Sequence, residues 1–245
     1  MYCPIRSGRQ ATFCFECVTS HGEASVAREF KCPVCCSPLP DAGAKCANPL
    51  CRRPVSERQF GRVFAAATMS GAVAAMIHML KPRNAAAPPK THYATVLGGY
   101  LAGWAEHQRS EIGTHDLVLP VPAHPDRVTD LGIDITGTLV GVIERSLGDM
   151  LGKCLIDAGP VISKTHRVEA RSRGNSWQER QDAVRDAYQL EPLARETVSG
   201  ASVLVVDDVL TTGTNLGAVA GQLLRAGAKC VDGLVVARVI YEGRQ

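Results

Sequence analysis

The chain has 245 residues, 45% hydrophobic and 21% charged, which is enough apolar material for a full core and too much for wholesale disorder. That length suits one medium domain with a small appendage, or two small domains, and excludes a mini-protein. A net charge of +3 is too small to make nucleic-acid or membrane binding the reading of the whole molecule.

Residues 1–55 are set apart by composition. Eight of the ten cysteines (Cys3, Cys14, Cys17, Cys32, Cys35, Cys36, Cys46 and Cys51) fall here, and residues 1–62 hold nine Lys or Arg against five Asp or Glu, so the head is basic and the remainder carries a net −1. No apolar run approaches the roughly 18 residues that span a bilayer, and residues 1–9 lack the apolar segment of a secretion signal, so the chain reads as cytoplasmic with no membrane partner. Clustered cysteines in a reducing compartment are metal ligands rather than disulfides. Cys32-x2-Cys35 and Cys46-x4-Cys51 form a four-ligand set for a structural Zn²⁺, each pair placing two thiolates on one side of a tetrahedron. Lys31, Lys45, Arg52 and Arg53 flank these ligands and offset the thiolate charge. Cys14 and Cys17, with Cys3 and either His21 or Cys36, offer a second zinc site whose pairing the spacing leaves open.

From Ser56 the pattern turns helical. Phe60, Val63, Phe64, Ala67, Val73, Met76, Ile77 and Leu80 recur at helix spacing, predicting one helix that stops near Lys81-Pro82, with Met69, Met76 and Met79 as core filler. Residues 82–92 are a Pro- and Ala-rich connection to a second amphipathic helix over 93–108. Leu117-Val118-Leu119 reads as a short buried strand, 135–151 as a helix, and Val161-Ile162 as another strand. A polar, Arg-rich stretch over 164–186 leads to the strongest strand, 202–206, then a Gly/Thr loop, a helix to about residue 226 and a strand over 230–240. His78, His92, His107, His115 and His166 are scattered without metal-like spacing. Alternating strands and helices predict an α/β domain, a parallel sheet covered by helices on both faces.

The most informative stretch is 203–215. An apolar strand delivers Asp207 and Asp208 to its carboxyl end, and a loop of Thr211, Thr212, Gly213, Thr214 and Asn215 opens a helix. Backbone N–H groups at a helix start, threonine hydroxyls and a glycine that permits close approach make an anion site. Two carboxylates beside it would repel a phosphate, so they face hydroxyls or a metal, and a sugar phosphate satisfies both halves.

This stretch resembles the phosphoribosyl-pyrophosphate (PRPP) loop of the type I phosphoribosyltransferases, in which four apolar residues, two acids and two apolar residues precede a Thr/Gly run. Asn215 departs from the usual Ser or Thr and still offers a hydrogen-bond donor. The resemblance implies a type I phosphoribosyltransferase fold over residues 56–245 and PRPP bound with Mg²⁺. It further implies Asp207 and Asp208 on the ribose hydroxyls as the catalytic acids, and residues 211–215 on the 5-phosphate. Residues 117–127, running Leu-Val-Leu-Pro-Val-Pro-Ala-His-Pro-Asp-Arg, are similar to the strand and Pro-Val-Pro loop of ComF-like proteins and glutamine-dependent amidophosphoribosyltransferases, implying Arg127 as a pyrophosphate contact. Residues 164–186 correspond in place to a hood loop whose Lys164, Arg167, Arg171 and Arg173 would neutralise the departing pyrophosphate. Residues 187–190 match the small-aromatic-x-apolar strand of ComF-like chains, and a zinc ribbon ahead of the transferase domain is the ComF arrangement.

One segment departs. Where ComF-like chains read Arg-Gly-Phe-Asn-Gln, this chain has Leu131, Gly132, Ile133, Asp134 and Ile135, losing two polar side chains expected near the active site. The leading expectation is transfer of a phosphoribosyl group to a nitrogen acceptor with release of pyrophosphate. Two others stand beside it: a non-catalytic accessory protein of DNA uptake that binds nucleic acid through the basic zinc head, and a regulator that senses PRPP without turning it over. The family likeness also implies a homodimer; the acceptor is not encoded in any matching motif.

Overall fold

Helices with one apolar face and strands apolar on both sides can bury themselves only by layering. The structure, a computed structural model, describes residues 30–82, 87–155, 161–166, 184 and 186–240. In chain order they form β1 (Val63–Thr68), α1 (Gly71–Leu80), α2 (His92–His107), β2 (Leu117–Pro120), α3 (Pro125–Leu131), α4 (Ile135–Leu147), β3 (Lys153–Cys154), β4 (Ile162–Lys164), β5 (Tyr188–Leu190), β6 (Ser202–Leu210), α5 (Thr214–Arg225) and β7 (Cys230–Arg238), joined by short helical turns. Five of the strands make a parallel sheet in the order β1-β7-β6-β2-β3, while β4 and β5 pair antiparallel as a separate ribbon.

Pleating sends successive β6 side chains to opposite faces. Val203 and Val205 meet α5 and the cysteine-bearing segment, through Leu216, Val219, Leu223, Cys35 and Leu50. Leu204 and Val206 meet α1, α2 and α4. On that second face a Cβ on Gly98 of α2 would lie 2.9 Å from the Val142 Cβ of α4, so the two helices pack at a separation that only glycine allows.

The placement of the helices decides where a ligand can bind. β2 and β6 are neighbours, yet α4 follows β2 on one face and α5 follows β6 on the other. Strand connections that depart to opposite faces leave a crevice at the carboxyl ends of the strands, the switch point where open α/β sheets take their ligands.

The single helix expected over 56–81 is instead a four-residue turn (Val55–Arg58), β1 and α1. Gln59, at φ +68°, stops the turn. Val63 then faces one core and Phe64 the other, and a short run buried on both faces has no period that separates strand from helix. The 135–151 helix closes at Leu147 and is followed by the 3-10 turn Gly148–Met150. The strand expected over 202–206 continues to Leu210, because β7 pairs with it through Leu210↔Arg238. Helix α3 is an element beyond those the sequence pattern predicts, although its signals are local: His124 Nδ1 accepts from the Asp126 N–H at 3.2 Å, Pro125 starts the first turn, and Gly132 closes the helix at φ +67°.

Candidate functional site

Pairing of β2 with β6 ends at Pro120↔Val206, and the Val121 N–H makes a last bond to the Val206 carbonyl at 2.8 Å. Asp207 and Asp208 come next on β6, held by β7 alone, so their β2 side is open. A cleft of about 820 Å³ lies there. It is lined by both acids, by the cations Lys81, Arg127 and Lys164, by His124, Thr136, Tyr188 and Asn215, and by an apolar wall that includes Leu131, Ile133 and Ile135. That wall is the segment where two polar residues were found replaced. Thr136 anchors its far end, donating to the Val121 carbonyl at 2.7 Å and to Asp134 Oδ1 at 3.1 Å.

The two acids meet different surroundings. The Asp208 side chain, 6% exposed, is ion-paired with Lys81 from the end of α1. Burial alone would lower the Lys81 ammonium, but the carboxylates of Asp208 and Asp207 outweigh it and hold Lys81 above its usual range. Asp207 Oδ1 accepts from the Asp208 N–H at 2.9 Å. Burial, and then the charge of Asp208, push Asp207 up to about 7. Beyond Asp207 the β4–β5 ribbon contributes Lys164, whose ammonium donates to Tyr188 Oη at 3.0 Å and lies 4.8 Å from the Tyr188 ring centroid. Burial lowers Lys164, against the attraction of Asp207 and with the repulsion of Lys81. Burial, with Asp207 adding to it, raises the Tyr188 phenol.

Of the loop residues, Asn215 lines the cleft. Thr211 is exposed, Gly213 and Thr214 are buried, and the hydroxyls of Thr212 and Thr214 bond each other at 2.6 Å. Gly213 stands at the N-cap of α5 with φ +74°, a conformation glycine enters without penalty, and no side chain among the described residues caps the first turn. The leading amides of such a helix lack intrahelical partners and carry the positive end of its dipole.

Asp207, Asp208, Asn215, Arg127 and Lys164, singled out in the sequence, all line this one cleft. Arg167, Arg171 and Arg173 lie outside the described residues. Lys81, Thr136 and Tyr188 were not assigned to the site. A lysine in the last turn of a helix is the ordinary complement of the dipole, so nothing in the spacing marked Lys81.

A second cluster lies on the α5 face of the sheet. The sulfurs of Cys32, Cys35, Cys46 and Cys51 all lie within 4.8 Å of one another, and Cys35 and Cys46 are 3.6 Å apart. Four sulfurs at about 2.3 Å from one zinc ion would stand about 3.8 Å apart, so the set fits such a metal. Sharing of protons with Cys35 and then Cys51 pulls the Cys32 thiol far below its usual range, while Cys35 is pushed up to about 12 by its bond to Cys32. Arg238, 1% exposed, donates through Nε to Ser37 Oγ, and its two terminal nitrogens have no hydrogen-bond partner among the described residues. Its charge acts on Cys35. A buried guanidinium left so bare is costly unless negative charge stands near it, and four thiolates on a divalent cation supply that charge. Cys36 lies outside this four-sulfur set, and Cys3, Cys14, Cys17 and His21 lie outside the described residues.

Residues 162–241 match the family model of the phosphoribosyl transferase domain, a stretch that carries β4 to β7 with Lys164, Tyr188, both acids and the Thr/Gly loop. The parallel sheet and its flanking helices make an α/β fold, part of which matches the phosphoribosyl transferase domain, and a cysteine cluster N-terminal to that part could hold a metal. Among solved structures the chain is similar to glutamine PRPP amidotransferase from B. subtilis complexed with ADP and GMP, at 18% identity over 65% of this chain with a TM-score of 0.40. It is also similar to a structure described as the allosteric regulatory enzyme of purine biosynthesis, at 18% identity over 65% of this chain with a TM-score of 0.38. The chain covers 30% of each of those two chains. No curated protein matches it at a significant level. No helix among the described residues is long and apolar enough to cross a membrane.

Proposed function

We propose that the chain is a ComF-like protein of two parts, a metal module over residues 1–55 and a phosphoribosyltransferase domain over 56–245, that binds PRPP with Mg²⁺ and transfers the phosphoribosyl group to a nitrogen nucleophile. The observation that carries this reading is the set of charges around one cleft: two adjacent carboxylates, the cations Lys81, Arg127 and Lys164, and Asn215 at an uncapped helix start. A ligand with phosphates at both ends and hydroxyls between them is the complement of that arrangement.

In the reaction the bond from C1 to the pyrophosphate oxygen breaks, its electron pair leaving with pyrophosphate. A bond from C1 to the acceptor nitrogen forms, and the acceptor proton passes to solvent. Asp207 and Asp208 hold the ribose hydroxyls and stabilise the positive charge that develops on the sugar. Arg127 grips the pyrophosphate, assisted by Lys81 and Lys164, a guanidinium being suited to two-point binding of phosphate. The first amides of α5, the hydroxyls of Thr211, Thr212 and Thr214, and Asn215 hold the 5-phosphate. Mg²⁺, when bound, neutralises part of the pyrophosphate charge.

Calorimetric titration of PRPP with Mg²⁺ into the intact protein and into Asp207→Asn/Asp208→Asn tests the reading, with circular dichroism to show that the double variant is folded. Binding that the variant loses is the expected result. No binding by the intact protein overturns it, and a salt-sensitive affinity for single- or double-stranded DNA would then put the nucleic-acid reading in its place.

A further inference from the structure

We infer that the four-cysteine module is a prop for the phosphate loop, so that affinity for a sugar 5-phosphate depends on the packing of Leu50 against Gly213. The inference rests on the reading of residues 211–215 as a phosphate site.

Leu50 lies between the ligand candidates Cys46 and Cys51, in the turn Pro49–Arg52. Asn48 Oδ1 accepts the Leu50 N–H at 3.0 Å, and the Asn48 carbonyl accepts the Cys51 N–H at 3.0 Å. The turn therefore drives Leu50 inward, where it is 1% exposed. On the other side of the contact, a Cβ built on Gly213 would sit 2.5 Å from Leu50 Cδ2 and 3.3 Å from Phe60 Cζ. The backbone of the loop thus rests on Leu50 and the Phe60 ring with no side chain between.

The other pair of cysteines is tied to the sheet. The Val63 N–H at the start of β1 donates to the Val34 carbonyl, between Cys32 and Cys35, at 2.7 Å, and Arg238 at the end of β7 donates to Ser37. Cys32 and Cys35 are fixed to the strands, and Cys46 and Cys51 carry Leu50. An ion shared by the two pairs locks Leu50 to the sheet, and with it the left-handed backbone of Gly213. A phosphate site made of backbone amides binds tightly only when those amides are already in place, so loosening Leu50 weakens the 5-phosphate end of the cleft. The pyrophosphate end at Arg127, built from the loop after β2, does not touch it.

The test titrates ribose 5-phosphate and, separately, pyrophosphate into three forms of the full chain: metal-loaded wild type, the same protein after chelation, and metal-loaded Leu50→Ala. Metal content and circular dichroism are recorded for each. Ribose 5-phosphate is expected to bind at least tenfold more weakly to the chelated protein and to Leu50→Ala, with the metal retained in the variant, while pyrophosphate binds all three alike. A ribose 5-phosphate affinity within twofold of wild type in folded, metal-loaded Leu50→Ala overturns the inference, as do equal losses for both ligands. Should Leu50→Ala not fold, Leu50→Val decides by the same criteria, an intermediate loss confined to ribose 5-phosphate being expected. Failure of loaded wild type to bind ribose 5-phosphate overturns the phosphate-site reading itself, a result distinct from binding that ignores Leu50.

Discussion

Asp207 makes the cleft a burden on the folded protein, and the size of that burden can be worked out. Its carboxyl is raised from an ordinary 3.8 to about 7 by burial and by the charge of Asp208, so the folded state holds a proton that the unfolded chain has released. Between those two values the native state binds more protons, and the free energy of unfolding falls as pH rises from about 4 to about 7, then levels off. About three units correspond to about 4 kcal/mol at about 1.4 kcal/mol per unit, and the effective dielectric beside a solvent-filled cleft reduces this to about 1–3 kcal/mol. Asp207→Asn removes the titration and keeps an oxygen to accept the Asp208 N–H. Urea denaturation should find the variant and wild type equal near pH 4, and the variant more stable by about 1–3 kcal/mol at pH 8; comparing the two at each pH cancels the titration of groups that do not interact with Asp207. A gap that does not change with pH, or a variant less stable at pH 8, would refute the reasoning and mean that the Asp207 carboxylate is net stabilised by the cations around it.

Two further outcomes are expected. Lys81→Met leaves the Asp208 carboxylate buried and unpaired; such a break costs about 3–5 kcal/mol at a fully buried pair, and because the Lys81 side chain is 36% exposed the cost here should be about 1–3 kcal/mol, mostly recovered in Lys81→Met/Asp208→Asn. A coupling energy near zero in that double-mutant cycle refutes the pairing. Arg238→Met should lower affinity for zinc by about 10- to 100-fold in a chelator competition, and shrink the rise in Tm that zinc confers, whereas an unchanged rise would show that the guanidinium does not serve the thiolates.

What was legible in the sequence was whatever a short stretch encodes by itself. The Asp-Asp and Thr/Gly order carries its own strand, turn and helix start, and the spacing of Cys32, Cys35, Cys46 and Cys51 reports ligand pairs directly; the structure brings those four sulfurs together. β1 was misread because its residues alternate between two cores, Val63 in one and Phe64 in the other, and only pairing with the distant β7 distinguishes that from a helix face. Lys81 was invisible for the same reason. Its partner Asp208 lies at the end of a strand formed much later in the chain, and a helix-terminal lysine needs no partner to be ordinary. The replacement at Leu131, Ile133 and Ile135 was read as lost polarity, while its meaning as one apolar wall of the cleft required the fold.

The position of β1 has a consequence for synthesis. Among the described residues its one sheet partner is β7, with Val63 opposite Gly233, 170 residues later, and the Ser37–Arg238 bond closes a loop of 201 residues. Contacts so distant form slowly, because a long loop must close before they repay it. While the chain is being made, the cysteine segment and β1 leave the ribosome with the surface they will share still missing, and their edges stay open until the last strand arrives. A chain halted after α5 would therefore lack more than one strand: it would leave β1 unpaired and remove the arginine that stands beside the four thiols.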